Sequence, residues 1–224
     1  MFNIKPRLLI IIDSKSNEKK HLKILNKFKV KFRIVTYGKG TAPSKILERL
    51  NLNEEDKTII LSIVPRVLSK HILKYIDSNL NNSKSVNEIA FTIPLSSATK
   101  YIEDLYKDNS LEDFEMEEIN KHLIITVTNE GFADTVMSSA KKEGAKGGTI
   151  INGRGLETEK IVKFLGITIE PEKDIVLILT DDNKKTSIMN KIVEECGLKT
   201  PGAGICFSIP VENAIGLINV KKSE

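Results

Sequence analysis

Two glycine-rich segments in the second half of the chain contain the residues best suited to bind an anion. The candidate ligand-binding residues in these segments are Gly153, Arg154, Gly155, Lys199, Gly202, Ala203 and Gly204. Glycine lets backbone N–H groups approach a phosphate closely, and consecutive amides can form an anion-binding nest. Arg154 and Lys199 would add positive charge. The alternative is a pair of simple turns, because Thr200-Pro201-Gly202 is also ordinary turn chemistry.

Residues that commonly perform catalysis or bind metals are scattered along the chain. The histidines, which have no Cys or acid at a metal-ligand spacing in the sequence, are His21, His71 and His122. We therefore predict no metal site. Cys196 and Cys206 fit a role in the core better than redox chemistry. Asp181-Asp182 fits a helix N-cap. No nucleophile has an activating base nearby in the sequence, so we predict that the chain is not an enzyme.

An internal repeat with a spacing of about 115 residues organises the chain. The matching segments are Gly38-Lys39-Gly40 with Gly153-Arg154-Gly155, Ser44–Leu52 with Glu159–Ile167, and Ala90–Leu95 with Cys206–Val211. The shared order of these blocks predicts two tandem, diverged domains, 1–110 and 121–224. Residues 111–120 contain five acids and no base, and we predict an acidic linker there.

Each predicted domain has the order strand, helix, strand, strand, helix, strand, which is the ferredoxin-like α+β arrangement with an antiparallel sheet. In the first domain the predicted strands are Leu8–Ile12, Lys31–Tyr37, Thr58–Val64 and Glu88–Ile93, and the predicted helices are Asn17–Phe28 and Arg66–Leu80. In the second the strands are His122–Thr128, Gly147–Ile151, Ile175–Leu179 and Ile205–Ile209. Its helices are Gly131–Gly144, a short Thr158–Leu165, and one from Asp181-Asp182 to Glu195. Helices cover one sheet face, so we expect another subunit or domain on the other.

Composition suits a soluble globular protein. Of the 224 residues, 40% are hydrophobic and 29% are charged, and no apolar run is long enough to span a membrane. Two cysteines in the whole chain favour a reducing, cytoplasmic setting. The excess of Lys and Arg lies in residues 1–110, but aromatic residues are only 5% and Trp is absent. This composition argues against a base-stacking surface, so we expect no nucleic-acid partner.

The succession Gly153-Arg154-Gly155, Thr180-Asp181-Asp182 and Gly197–Ile205 resembles the PII family of nitrogen-regulatory signalling proteins and its PII-like relatives. The resemblance covers Lys121–Lys222 and, more faintly, Arg7–Tyr106. It implies a trimer that binds ATP or ADP in clefts between subunits and that contacts target proteins through a loop after the second strand. By position, it implies that the two glycine segments line such a cleft.

Several residues depart from that pattern. Ile205 stands where the family has a lysine after the second glycine loop, and the stretch Val211–Ile218 lacks the family's phosphate-binding arginines. A charged hydrogen bond is worth about 1.5–3 kcal/mol, so an unaltered ATP site is not expected. Leu156–Pro171 is short and lacks the tyrosine that some members modify. In the first domain, Asn81–Glu88 replaces the second loop without a glycine.

The sequence therefore predicts a PII-like signal transducer that binds a small effector, with an adenine nucleotide as the first candidate. It would modulate a partner protein such as a transporter or a metabolic enzyme, in nitrogen regulation by the resemblance. Two alternatives stay open: a ligand-free structural or interaction protein on the same scaffold, and a metal-handling trimer of the copper-tolerance type.

Overall fold

The computed structural model describes residues 5–42, 54–80, 88–106, 111–116, 120–155, 162–164, 167–169 and 171–216. The chain divides into two units. Unit 1 comprises Met1–Tyr37, Asp56–Asn120 and Pro210–Glu224, and unit 2 comprises Gly38–Glu55 and Lys121–Ile209. Unit 2 therefore includes Gly38–Glu55 from the first predicted domain, and unit 1 includes Pro210–Glu224 from the second. The predicted domain bounds and the tandem duplication stay predictions.

In chain order, the elements are β1 (Pro6–Ser14), a short 3-10 helix (Lys15–Asn17), α1 (Glu18–Lys27), β2 (Ile34–Gly40), β3 (Glu55–Pro65), α2 (Arg66–Leu80), β4 (Ile89–Pro94), α3 (Lys100–Leu105), β5 (Lys121–Asn129), α4 (Ala133–Lys142), β6 (Thr149–Arg154), β7 (Val162–Phe164), β8 (Ile167–Ile169), β9 (Glu172–Asp181), α5 (Asp182–Cys196), β10 (Ile205–Val211) and β11 (Asn213–Ile215).

Unit 1 is built around the apolar strand β1. β1 pairs antiparallel with both β3 and β4, so that Ile11 lies opposite Ile60 and Ala90, and β11 pairs with the outer edge of β4. Alternate β1 side chains pack against α1 and α2 in one core that includes Leu25 and Ile72. Because successive strand residues face opposite sides of a sheet, the row Leu9, Ile11, Asp13 points toward these helices.

Unit 2 has the strand order β10-β5-β9-β6, and the end of β2 pairs with β6. Ile124 of β5 lies opposite Ile178 of β9, and both pack against α4 and α5 in the core. The alternation of buried and half-buried residues along β5 and β9 shows that the helices cover one face only. The opposite face is also apolar, with half-buried Val127 and Leu177.

The predicted α+β class with antiparallel sheets is confirmed in each unit, and most predicted strands and helices lie within a few residues of the observed ones. The predicted helix Thr158–Leu165 is wrong at Val162–Phe164, which form β7 and pair with β8. The rest of that helix lies outside the described residues, as do Ser44–Leu52 and Asn81–Asn87. Of the helices in the described residues, none combines the length and the apolar character that crossing a lipid bilayer requires.

The predicted acidic linker is anchored where the structure describes it, at residues 111–116. Asp113 accepts a hydrogen bond from Lys70 of α2 at 2.7 Å and forms an ion pair with Arg66 at 3.3 Å. The carbonyl of Glu112 lies 2.9 Å from Nε2 of His71. Lys70 also lowers the pKa of the Asp113 carboxyl. This part of the acidic segment therefore packs on α2 rather than crossing open solvent.

Candidate functional site

Both glycine segments lie at the same end of the sheet in unit 2. Gly153 at the end of β6 is opposite Lys173 of β9, and Lys173 is opposite Asn129 of β5. The backbone N–H of Asn129 then donates to the carbonyl of Gly202 at 2.9 Å. Gly153 and Gly202 are thus separated by three strand-to-strand spacings of about 4.8 Å each, or about 14 Å in all. The register thus aligns the two segments along one sheet end without bringing them into contact.

Side chains of Asn129 and Lys173 join the middle of this row. The Nζ of Lys173 donates to Oδ1 of Asn129 at 3.0 Å, and Nδ2 of Asn129 donates to the carbonyl of Pro201 at 3.0 Å. These two residues hold the second glycine segment against the strand ends. The sequence alone did not single them out, because only the β5–β9 register makes them neighbours.

Backbone hydrogen bonds close the second glycine segment into a tight turn. The N–H groups of Thr200, Ala203 and Gly204 donate to the carbonyls of Gly197, Thr200 and Cys196 at 2.9, 3.0 and 2.7 Å. Ala203 adopts φ +44°, in the left-handed region. These N–H groups are therefore engaged, and the N–H of Gly155 likewise donates to Pro171 at 2.8 Å. This geometry favours the turn interpretation over an open anion nest.

Two exposed cationic side chains belong to the glycine segments at this sheet end. Arg154 and Lys199 are both exposed, and Arg154 lies opposite Glu172 in the β6–β9 ladder. The strand register and the hydrogen bond from Asn129 thus place both glycine segments at one end of the sheet, and Arg154 and Lys199 each belong to one of these segments. A ligand there would depend on these side chains more than on the loop amides.

Asp174 stabilises the start of α4, next to the second glycine segment. Its buried Oδ2 accepts hydrogen bonds from the N–H groups of Gly131 and Ala133, at 2.9 and 3.2 Å, and so it satisfies donors where α4 begins. Phe132, which lies between Gly131 and Ala133 in the sequence, packs against Gly202. A Cβ added to Gly202 would come within 3.2 Å of the Phe132 ring. Gly202 therefore also has a packing reason to be glycine.

The acid pair at the start of α5 is engaged in ion pairs. Asp181 has the N-cap position, but its side chain makes no capping hydrogen bond and instead pairs with Lys121, so the predicted capping role is wrong for this side chain. Asp182 lies 2.9 Å from both Lys185 and His122. Hydrogen bonds from Lys121 and Lys185 lower the pKa of the two carboxyls.

Both cysteines are free thiols associated with the core of unit 2. Cys196 is fully buried, and Cys206 is half-buried with its Sγ 3.5 Å from Oγ1 of Thr126. Burial raises the pKa of both thiols. A raised pKa keeps a thiol protonated and unreactive, as the sequence-based interpretation expected.

A second group of functional side chains, which sequence reasoning missed, lies in unit 1. Asp13, His21 and Glu88 bring one ligand atom each to within 4.8 Å of one another, and all three residues are buried. Along the chain these residues show no metal-ligand spacing. They meet because β1 pairs with β4 and α1 packs over that pair.

Comparison with known proteins finds similarity at the level of structure. No protein-family model matches the chain, and no curated protein matches it by sequence. PII from Arabidopsis thaliana, bound to citrate, is similar with 21% identity and a TM-score of 0.33, over 47% of this chain and 85% of that one. GlnK from B. subtilis in complex with ATP has 19% identity and a TM-score of 0.33, over 46% and 92%. A microcompartments protein from Desulfitobacterium hafniense DCB has 13% identity and a TM-score of 0.26, over 94% and 96%.

Proposed function

We propose that the chain is a cytoplasmic, non-catalytic PII-like regulator whose unit 2 binds a small effector at the glycine end of its sheet. An adenine nucleotide is the first candidate effector. The alignment of both glycine segments along one sheet end, with Arg154 and Lys199 exposed in them, is the observation that supports the proposal most. Effector binding would change the affinity for a partner protein, such as a transporter or a metabolic enzyme, and nitrogen regulation is the proposed setting.

Self-association completes the proposed site. The two glycine segments are about 14 Å apart, so a second copy would bring residues to each of them. The sheet face of unit 2 that lies away from its helices supports this step. Cys206 contacts the core, so its neighbours Ile205 and Phe207 project from the opposite face, where they are 56% and 44% exposed. We propose that other copies of the chain cover this apolar face, as a trimer.

Calorimetric titration of the full chain with ATP, ADP and cyclic dinucleotides tests the effector. We expect saturable heat with at least one of them. Replacing both cations, as Arg154→Gln with Lys199→Gln, should weaken that binding at least tenfold, because a charged hydrogen bond is worth about 1.5–3 kcal/mol. Lys141→Gln, at an exposed lysine of α4, is the matched control and should bind as the wild type does. The absence of heat with every nucleotide would exclude this version of the function.

A ligand-free interaction protein is the second candidate. The engaged N–H groups of Ala203 and Gly204 favour it, because they leave less of the loop to hold a phosphate. Ile205 favours it too, in place of a cation. On this interpretation the glycines only form turns, and none of the nucleotides would raise the melting temperature of the chain.

A further inference from the structure

Two carboxylates and a histidine meet inside unit 1, at the end of its helix-facing core. Ile12 of β1 lies opposite Ile89 of β4, so the next residues, Asp13 and Glu88, approach each other on the face that α1 covers. The first turn of α1 places His21 over them. The exposed fractions of Asp13, His21 and Glu88 are 1%, 0% and 1%, so the protein encloses all three side chains.

Hydrogen bonding leaves part of this cluster without partners. Oδ1 of Asp13 accepts from the N–H of Ser14 at 2.7 Å, and Oδ2 accepts from Nδ2 of Asn17 at 3.0 Å. Nε2 of His21 lies 2.8 Å from the same Oδ2 and 3.7 Å from Oε1 of Glu88. Among the residues that the structure describes, neither that Oε1 nor Nδ1 of His21 has a hydrogen-bond partner, although both atoms are buried. A buried carboxylate oxygen such as Oε1 calls for an explanation such as a bound ion.

The negative charges of the two buried carboxylates also favour a bound cation. Lys20 pairs with Oε2 of Glu88 at 2.9 Å, but its side chain is 35% exposed, and Oε1 has only the 3.7 Å contact with Nε2 of His21. Like charges opposite each other on neighbouring strands are unfavourable, and a buried carboxylate needs a paired charge. A cation placed between Asp13, Glu88 and His21 would satisfy the free oxygen and offset the repulsion.

We propose that Asp13, His21 and Glu88 form a binding site for a divalent transition-metal ion, with zinc as the metal to test first. The ligand atoms would be Oδ2 of Asp13, Nε2 of His21 and Oε1 of Glu88. Two atoms that each lie about 2.0–2.2 Å from one tetrahedral zinc ion are separated by roughly 3.3–3.6 Å. The separations from Nε2, 2.8 Å to Oδ2 and 3.7 Å to Oε1, lie on either side of this spacing, so zinc binding would require the Asp13 and His21 side chains to move apart by about half an ångström.

The donor set selects among metals. Imidazole with carboxylates suits zinc and its first-row neighbours, whereas calcium and magnesium take oxygen ligands. On binding, Nε2 of His21 becomes the metal ligand, and the ring hydrogen resides on Nδ1. The ion would link β1, α1 and the residue before β4, and a water molecule would complete a tetrahedron around its three protein ligands. This site lies in unit 1 and is independent of the effector proposed for unit 2.

The test uses the full chain freed of metal by a chelator and titrated with zinc, with bound metal counted by elemental analysis. We expect one equivalent of zinc per chain and a higher melting temperature. Glu88→Gln and His21→Gln should each weaken zinc binding at least tenfold. His71→Gln, at a histidine outside the cluster, is the matched control and should bind one equivalent as tightly as the wild type does.

A wild-type chain that binds less than one equivalent of zinc, manganese or cobalt would overturn the proposal. So would undiminished binding in folded Glu88→Gln and His21→Gln variants. If these variants do not fold, X-ray absorption on the zinc-loaded wild type decides the matter. One imidazole with carboxylate oxygens around the metal would support the site, and thiolate or several imidazoles would contradict it. Loss of this site would leave the nucleotide titration unaffected.

Discussion

Replacing Glu212 with glutamine should lower the free energy of unfolding by about 3 kcal/mol, because it leaves a buried arginine without its counter-ion. Arg7 is 8% exposed and pairs with Glu212 through two nitrogens, Nε and Nη2, the latter at 2.9 Å. Nε of Arg66 donates to the same carboxylate at 3.2 Å. The expected loss lies at the lower end for buried pairs, since the Glu212 side chain is 22% exposed.

Urea unfolding at neutral pH measures this loss, with Glu194→Gln as the matched control. Glu194 also pairs with a lysine, Lys191, but its side chain is 67% exposed, so its replacement should cost less than about 1 kcal/mol. Equal losses in the two variants would contradict the role assigned to Arg7 and Glu212.

The pH dependence provides a second readout of the same ion pair. The hydrogen bond from Arg7 lowers the pKa of Glu212 below its ordinary value of 4.5. A carboxyl whose pKa is lower in the folded state stabilises the protein above its unfolded pKa, and this stabilisation is lost as the pH falls through the folded value. The wild type should therefore lose more stability than Glu212→Gln when the pH is lowered from neutral to below 4.5.

Replacing Gly204 with alanine should cost about 2–3 kcal/mol by overpacking. A Cβ there would meet the backbone oxygen of Cys196 at 2.3 Å, so the turn must open and the hydrogen bond from Gly204 N–H must be lost. Gly153→Ala is the matched control, because its Cβ would meet only Ile175 Cδ1 at 3.4 Å. It should change stability by less than about 0.5 kcal/mol.

Thermal unfolding compares the two glycine variants, and hydrogen exchange of residues 197–204 locates the change. Faster exchange in Gly204→Ala, confined to this segment, is the expected pattern. If Gly204→Ala is as stable as Gly153→Ala, then the turn is not held by Cys196, and an open anion-binding nest becomes the better description of the segment.

Strong local patterns made much of the fold predictable. The apolar runs in β1 and β9 are typical of buried strands, and the apolar spacing in α4 and α5 is typical of helices packed on a sheet. Short elements were not predictable in the same way. Val162–Phe164 lies in an amphipathic stretch that also suits a helix turn, and its strand partner Ile167–Ile169 is only three residues long. For so few residues, pairing partners decide the conformation.

The candidate site likewise contains some residues that the sequence predicts and others that only the folded structure reveals. Glycines mark positions where the backbone turns or approaches another group closely, so the two segments of unit 2 were visible in the sequence. Asn129, Lys173 and Asp174 were not, because their roles depend on the strand register. In unit 1, Asp13 and Glu88 become neighbours only through the pairing of β1 with β4, so the cluster with His21 had no signature along the chain.

Native mass spectrometry of the full chain, with and without ATP or ADP, tests the central claim most directly. The account predicts a homo-oligomer, a trimer by the proposal, that carries bound nucleotide, and it predicts that Arg154→Gln with Lys199→Gln keeps the assembly but loses the nucleotide. A chain that stays monomeric and carries no nucleotide at saturating concentrations would contradict the account of unit 2 as an effector-binding regulator.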